Sequence, residues 1–144
     1  MKTPRQKLYK KLDTLWSLLV RKDCVCELCG HKGDIKEFDA HHIKKRGNLS
    51  TRWDLDNSAC LCKGCHRFKI HMDTFTVAIL IDKLKKKRGK KWYEDLVNKT
   101  NKIVKYSTSD LEELVEKLEK KLKGGEGRLK QLTTPDKEQK KDMD

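Results

Sequence analysis

The sequence predicts a small α+β domain in which two strands and a short helix are closed by a metal clip and flanked by helices. Two Cys-x2-Cys pairs, Cys26/Cys29 and Cys62/Cys65, have the spacing of turns that wrap one tetrahedral zinc ion. Between them, apolar and polar residues alternate over 37–43, as in a strand. Only 35% of the 144 residues are apolar, so a large core is not available. We therefore expect a structural ion to contribute to folding.

The balance of charges favours a partner that carries phosphates. Lys and Arg total 35 against 22 Asp and Glu, which gives a formal net charge of +13. A membrane surface is the alternative partner. However, the longest uninterrupted apolar run, 77–81, is far too short to span a bilayer, and the N-terminus lacks the apolar block of a signal peptide. We expect a cytoplasmic protein, in a compartment where cysteines bind metal rather than form disulfides.

Residues 1–22 form the first predicted segment, an N-terminal helix. Pro4 stands where a proline opens a helix without cost. Apolar residues recur at spacings of three, four and seven along one stripe, namely Leu8, Leu12, Leu15, Trp16 and Leu19. We expect this helix to pack on the rest of the domain.

The metal clip lies in the second predicted segment, 23–73, where Cys-x-Cys-x2-Cys occurs twice. Each copy offers three thiols to a site that takes four ligands. The two-residue spacing suits a tight turn, so the predicted ligands of a structural Zn²⁺ are Cys26, Cys29, Cys62 and Cys65. Gly30 permits the positive φ that such a turn often needs. Cys24 and Cys60 are then small buried side chains, with a shared two-metal cluster as the alternative.

The same segment contains the predicted hairpin and short helix. Residues 57–61 are the second strand, and 44–56 are the loop that connects it to the first. Residues 63–71 are predicted to form the short helix that brings His66 over the hairpin.

Residues 74–123 are predicted to form a helical extension. Asp73 caps a helix over 74–87, and its apolar side chains are expected to be buried: Phe75, Ala78, Ile79 and Ile81. A weaker pattern at Trp92, Leu96 and Ile103 predicts another short helix.

The last predicted helix begins at a capping box formed by Ser109 and Glu112. Its apolar stripe contains Leu111, Leu114, Val115, Leu118 and Leu122. This stripe needs a partner, either the N-terminal helix or the same helix of a second copy in a homodimer. Residues 124–144 are rich in glycine and charge, so we predict a disordered tail.

The order His42, Asn57, His66, with the last histidine directly after Cys65, resembles the HNH endonucleases, which are ββα-metal nucleases with a four-cysteine zinc site. The resemblance covers residues 20–75. It implies a ββα-metal core and the metal-dependent hydrolysis of DNA phosphodiester bonds. The implied catalytic ion is Mg²⁺, Mn²⁺ or another divalent transition metal.

The resemblance also implies a catalytic set, His42, Asn57 and His66. His42 is the expected general base, and the preceding His41 is an expected ligand of the catalytic ion. Asn57 either ligates that ion or holds the His42 loop by hydrogen bonds. His66 either ligates the ion or contacts phosphate. His71 lies five residues after His66, a spacing that does not share one face of an α-helix, so we expect it at the surface, with ligation of an ion as the alternative.

A looser resemblance is to the phage recombination nucleases called NinG or Rap. It rests on Val20-Arg21-Lys22-Asp23, on Arg52-Trp53-Asp54 and on Ser-Thr-Ser-Asp at 107–110. Those proteins usually have Gly-His where this chain has His41-His42, and Cys-Asn where it has Cys65-His66. The resemblance implies a phage- or prophage-encoded enzyme that acts on branched recombination intermediates.

We expect DNA phosphates to be bound by cations around the motif and at the end of the helix over 74–87: Lys44, Lys45, Arg46, Arg52, Arg67, Lys85, Lys86, Lys87 and Arg88. The alternative function is a zinc-dependent nucleic-acid-binding accessory protein without catalysis. Both functions predict salt-sensitive DNA binding. Only the nuclease predicts that His42→Ala keeps fold and binding while abolishing cleavage.

Overall fold

The computed structural model describes residues 1–124, so the tail predicted for 124–144 lies outside the described residues except for Gly124. The regular elements follow in the order α1 (Pro4–Arg21), β1 (Phe38–His42), β2 (Ser58–Cys62), a π-helix (Cys65–Ile70), α2 (Thr74–Arg88), α3 (Lys90–Thr100) and α4 (Thr108–Gly124). Short 3₁₀ turns, Ile35–Glu37 and Leu55–Asn57, lead into the two strands. The mixture of helices with one small sheet confirms the predicted α+β class.

Helix α1 begins as the sequence predicts. Pro4 occupies its first turn, and Thr3 and Gln6 form a reciprocal capping box in which each side chain accepts from the other's backbone N–H. Its buried side chains are Leu12, Leu15, Trp16 and Leu19. This stripe packs against α4 and the hairpin.

The two strands pair antiparallel, with His41 opposite Ala59 and His42 opposite Ser58. Successive side chains of a strand point to opposite faces. In β1, Asp39 and His41 therefore lie on the face toward the π-helix, where both contact His66. His42 lies on the other face and stacks on a side chain of α1. The two adjacent histidines thus belong to different sides of the hairpin.

The short helix after β2 differs from the predicted one in its winding. Residues 65–70 form a π-helix, in which the backbone bonds run from residue i to i+5 rather than i+4. Residues five apart therefore lie on one face of this segment.

Helix α2 begins after Asp73, as predicted, because the Asp73 carboxylate accepts from the Phe75 N–H. The prediction of its buried face was wrong. The structure buries Leu80 and Leu84, leaves Phe75, Ala78 and Ile79 exposed, and half-buries Ile81. Apolar residues lie all around this helix, so the sequence pattern did not select one side.

Helix α4 starts slightly earlier than predicted, because the capping pair is formed by Ser107 and Asp110. Ser107 Oγ accepts from the Asp110 N–H, and Asp110 Oδ2 accepts from the Ser107 N–H. Its buried residues, Leu111, Val115 and Leu118, share one core with α1. Of the two partners considered for this stripe, the structure shows α1.

The remaining elements complete the scaffold around the hairpin. Helix α3 buries Trp92 and Leu96, as predicted, whereas Ile103 lies beyond the helix and is exposed. Within residues 1–124, no helix combines the length and apolar character needed to cross a bilayer.

Candidate metal centre and histidine cluster

The thiols predicted to bind the structural ion are brought together by the fold. The sulfur atoms of Cys26, Cys29, Cys62 and Cys65 all lie within 4.8 Å of one another. Cys29 Sγ and Cys62 Sγ are 3.8 Å apart. Four sulfurs on bonds of about 2.3 Å to a central zinc ion form a tetrahedron with edges of about 3.8 Å. The four thiols can therefore hold one metal ion.

Each cysteine pair forms a turn that points backbone N–H groups at sulfur. The N–H of Cys29 points at Cys26 Sγ, and the N–H of Cys65 points at Cys62 Sγ, both at 3.5 Å. Gly30 has a φ of 82° and donates its N–H to the Cys26 carbonyl, which confirms the turn predicted there. These donors stabilise negative charge on the sulfurs that they face.

The protonation of these thiols favours a bound cation. Burial opposes ionisation of Cys26, but N–H groups from Cys29, Cys62 and Leu28 outweigh it and lower its pKa to about 7. Burial and the neighbouring sulfurs raise the pKa of Cys62 and of Cys65. Four thiolates at this spacing repel one another, so a positive ion is needed to keep them all ionised.

Cys24 and Cys60 are almost fully buried outside this group, as predicted. Burial, supported by nearby acidic groups, raises the pKa of Cys24 to about 11 and that of Cys60 to about 12. Both remain neutral thiols near pH 7. Neither sulfur belongs to the group of four whose ligand atoms lie within 4.8 Å of one another, which favours the four-cysteine site over the alternative of a shared two-metal cluster.

A second cluster of metal-ligating groups lies on the π-helix side of the hairpin. The nearest ring nitrogens of His41, His66 and His71 lie within 4.8 Å of one another, and the Nε2 atoms of His66 and His71 are 3.1 Å apart. Ligands on bonds of about 2.0 Å to one tetrahedral ion are separated by about 3.3 Å. Three imidazoles in this arrangement can hold a divalent cation while leaving coordination positions open.

His71 enters this cluster because the helix is a π-helix. It is exposed, as predicted, but its separation from His66 was inferred from α-helical spacing. With bonds from i to i+5, residues five apart are neighbours on one face. The expectation that His71 stands apart from His66 was therefore wrong.

Asp39 fixes the orientation of His66, a role that the sequence reasoning missed. The Asp39 Oδ2 atom lies 3.0 Å from His66 Nδ1. A carboxylate can only accept, so Nδ1 carries the proton and Nε2 presents its lone pair to the cluster. Burial opposes ionisation of Asp39, but bonds from Lys63 and His66 outweigh it and lower its pKa. Its position two residues before His41, on the same face of a strand, was the available signal.

His41 is suited to ligate a metal because it is neutral. Burial, assisted by the charges that His66, His71 and His42 would carry, lowers the pKa of His41 to about 4. A neutral imidazole keeps a lone pair for a cation, whereas an imidazolium does not. The predicted ligands His41 and His66 are thus brought together by the structure.

His42 is held apart from the cluster by two contacts. Its ring stacks on Trp16 with centroids 3.9 Å apart and planes inclined by 10°, and its Nε2 lies 2.9 Å from the Arg52 carbonyl oxygen. The carbonyl only accepts, so Nε2 carries the proton and the neutral ring has a basic Nδ1. Burial lowers the pKa of His42, although the Arg52 carbonyl opposes that effect. The ring is therefore in its base form near neutral pH.

Asn57 holds the loop, which is one of the two roles considered for it. Its Oδ1 accepts from the Lys44 N–H at 2.6 Å, and its Nδ2 donates to the carbonyls of Lys44 and Thr51, each at 3.0 Å. The side chain is fully buried. Because both polar atoms are spent on the loop backbone, the expectation that Asn57 ligates the catalytic ion is corrected, and His71 completes the cluster instead.

Several cations predicted to bind phosphate have partners inside the protein. Arg52 makes two hydrogen bonds to the Asp13 carboxylate, and Arg88 makes two to Glu27. Lys87 also pairs with Glu27, and the other two lysines of this run contact neighbouring residues of α2 and α3, namely Lys86 with Asp82 and Lys85 with the Tyr93 ring. Phosphate binding by these residues stays a prediction, alongside these structural contacts.

Other predicted cations lie on the open surface near the histidines. Lys44, Lys45 and Arg46 are exposed in the loop, and Arg67 is exposed on the π-helix. Arg67 also lines an open groove of about 550 Å³ together with Ser17, Arg21, Phe38, Asp39, Ala40, Lys63, His66 and His71. The groove gives an anionic ligand a basic approach to the histidine cluster.

Comparisons with protein-family models, with curated proteins and with solved structures find no match to this chain. The class of protein defined by fold and site is therefore a small α+β domain with a four-cysteine group and a three-histidine group, each able to hold a metal ion.

Proposed function

We propose that this chain is a metal-dependent endonuclease of the HNH type, which hydrolyses DNA phosphodiester bonds. In this proposal the two strands and the π-helix are its ββα-metal core, and the four cysteines bind structural Zn²⁺. His41, His66 and His71 bind the catalytic divalent ion. The single observation that carries the proposal is this group of three imidazole donors, of which His66 is oriented by Asp39 and two, His66 and His71, line a basic groove.

The four-cysteine group supports the proposal because it leaves the histidines available. One tetrahedral ion is already satisfied by four sulfur ligands. The three imidazoles are therefore not needed to complete that site. A divalent ion held by them would supply the positive charge that stabilises the phosphoryl oxygens and the leaving group.

Each protein group in the proposed mechanism has a defined proton state. Asp39 keeps the proton of His66 on Nδ1, which directs Nε2 toward the cluster. The Arg52 carbonyl keeps the proton of His42 on Nε2, so Nδ1 would be the atom that accepts a proton from the attacking water. Because the His42 ring lies on the other side of the hairpin from the three imidazoles, this role requires the attacking water to lie within reach of that side. Arg67 supplies positive charge for the DNA strand in the groove.

The test is cleavage of supercoiled plasmid and of four-way junction DNA by the zinc-loaded protein, with Mg²⁺, Mn²⁺, Co²⁺ or Ni²⁺ added in turn. We expect cleavage, with activity beyond Mg²⁺ because imidazole ligands suit the transition metals. His42→Ala should lower the rate by about 10²- to 10⁴-fold, the usual contribution of a general base, without changing DNA affinity. Preference for the junction over linear duplex would support a role on branched intermediates.

His71→Ala tests the metal site separately from the base. We expect weaker binding of Ni²⁺, by about tenfold or more, and a matching rise in the metal concentration needed for cleavage. The matched control is His31→Ala, because His31 is an exposed histidine that pairs with Glu37 and lies outside both clusters. Equal Ni²⁺ affinity in the wild type and His71→Ala would contradict the proposed site.

The second candidate is a zinc-dependent nucleic-acid-binding protein without catalysis. The stacking of His42 on Trp16, outside the histidine cluster, favours it, because the same contacts would hold a purely structural histidine. This candidate predicts salt-sensitive DNA binding with intact plasmid under all four ions. DNA binding without cleavage under any of the four ions would support this candidate and contradict the proposed nuclease.

A further inference from the structure

An apolar ridge is exposed beside the histidine cluster. It consists of Phe68, Met72, Phe75 and Ile79, which are 74%, 76%, 78% and 51% exposed. Single exposed apolar side chains are common on protein surfaces. Four of them between positions 68 and 79, two of them phenylalanines, mark an interaction surface instead.

The ridge is exposed because the helix that carries part of it packs through another side. Helix α2 buries Leu80 and Leu84, and Lys83 on that helix donates to the Leu28 carbonyl. Phe75 and Ile79 are one helical turn apart, so they form a continuous apolar strip. Within residues 1–124, both side chains of this strip remain exposed to solvent.

The end of the ridge next to the groove is positively charged, because Arg67 and Lys69 flank Phe68 and are exposed. The acids within the ridge or just after it are engaged: Asp73 accepts from the Phe75 N–H and from Thr76 Oγ1, and Asp82 pairs with Lys86. A second copy of this chain would bring the same cations against these, which is unfavourable for a protein of net charge +13. An anionic ligand with apolar flat faces fits the charges and the side chains together.

The position of the ridge relative to the groove selects nucleic acid among anionic ligands. Met72 directly follows His71, and Arg67 lines the groove that contains His66 and His71. A strand whose phosphates lie in the groove would bring its bases next to the ridge. Bases present a π-face to aromatic side chains, and apolar side chains can wedge between base steps that are already weakly stacked.

We propose that Phe68, Met72 and Phe75 bind unstacked bases and so direct this protein to DNA with unpaired or distorted steps. This rests on the proposed function only in taking DNA as the ligand, since it concerns binding and not hydrolysis. Intact duplex would be bound through its phosphates, and a bulged duplex through phosphates and bases together. The ridge would thus supply the preference for distorted DNA, and the cations would supply affinity for any DNA.

The experiment measures binding of a short fluorescein-labelled duplex and of the same duplex with a three-nucleotide bulge. The zinc-loaded full chain is used without any added divalent ion, so cleavage does not enter the readout. We expect wild type to prefer the bulged duplex. The double variant Phe68→Ala/Phe75→Ala should lose about tenfold or more in affinity for it, because it removes two aromatic surfaces on which bases stack, with the salt dependence unchanged. Phe68→Trp, which keeps a stacking surface, should retain the preference.

The matched control is Ile103→Ala, because Ile103 is 93% exposed and lies outside the ridge. It should bind both duplexes as wild type does. Equal affinity of wild type and the double variant for the bulged duplex would overturn the proposal. So would a wild-type dimer that becomes monomeric in the double variant, or binding to phosphatidylserine vesicles that the double variant loses. If the plasmid in the cleavage experiment stays uncut, the proposed nuclease activity is contradicted. The preference for the bulged duplex can still be measured, because it is a binding property.

Discussion

Replacing Asn57 with alanine tests how the loop after β1 is held. The buried amide makes three hydrogen bonds to the backbone of Lys44 and Thr51. Lys44 is exposed, so water can replace much of what it loses, whereas Thr51 is fully buried and its carbonyl would be left unpaired. Losing a hydrogen bond costs about 1 kcal/mol for each of the two solvated Lys44 groups and about 2 kcal/mol for the buried Thr51 carbonyl. We therefore expect the free energy of unfolding to fall by about 2–4 kcal/mol.

Urea unfolding of the zinc-loaded protein, followed by tryptophan fluorescence, measures this loss. The matched control is Asn98→Ala, at an exposed position of α3, which should change the free energy of unfolding by less than about 0.5 kcal/mol. Calorimetric titration with Ni²⁺ shows whether the amide also serves the metal. A stability loss under about 1 kcal/mol, together with tenfold weaker Ni²⁺ binding in Asn57→Ala, would refute the structural role and return Asn57 to the ligand set.

Two further predictions concern ion pairs at the edges of the site. Burial raises the pKa of Asp13, but hydrogen bonds from Arg52 and Trp53 outweigh it and hold that pKa below its ordinary value. A carboxyl of this kind contributes stability above its unfolded pKa of about 4, and that stability is lost as the pH falls through the folded pKa. The difference in unfolding free energy between wild type and Asp13→Asn should therefore shrink as the pH is lowered from about 5 to about 2, and a constant difference in urea titrations would contradict this. Arg88→Met leaves the Glu27 carboxylate, only 11% exposed, with a single cation, so we expect the free energy of unfolding to fall by about 2–3 kcal/mol. The DNA affinity of Arg88→Met should be no lower than that of Lys86→Met. If Arg88 served only DNA binding, Arg88→Met would unfold with the wild-type free energy and would bind DNA more weakly than Lys86→Met.

The sequence predicted correctly those features that depend on particular residue types, such as a metal-binding turn or the start of a helix. Cys-x2-Cys spacing led to the four thiols that the structure brings together, and Pro4 marked a helix start. Alternation located the first strand, and both predicted strands agree with the observed ones to within one residue at each end. In each of these cases the local chemistry alone selects the conformation.

Features that depend on long-range packing were not predictable in this way. The exposed side of α2 was expected to be buried because Phe75 and Ile79 are apolar, but burial was decided by the docking of Leu80 and Leu84. The use of Asp39 and Trp16 to orient two histidines also depends on elements distant in sequence. The role of Asn57 was undecided in the sequence for the same reason.

The π-helix has a consequence for how such sites are recognised. Histidines that share a cation on an α-helix are expected three or four positions apart, because those residues lie on one face. Here the interval between His66 and His71 is five, and the wider winding makes up the difference. A search template written for the α-helical interval would pass over this pair, whereas one that accepts a single inserted residue would retrieve it.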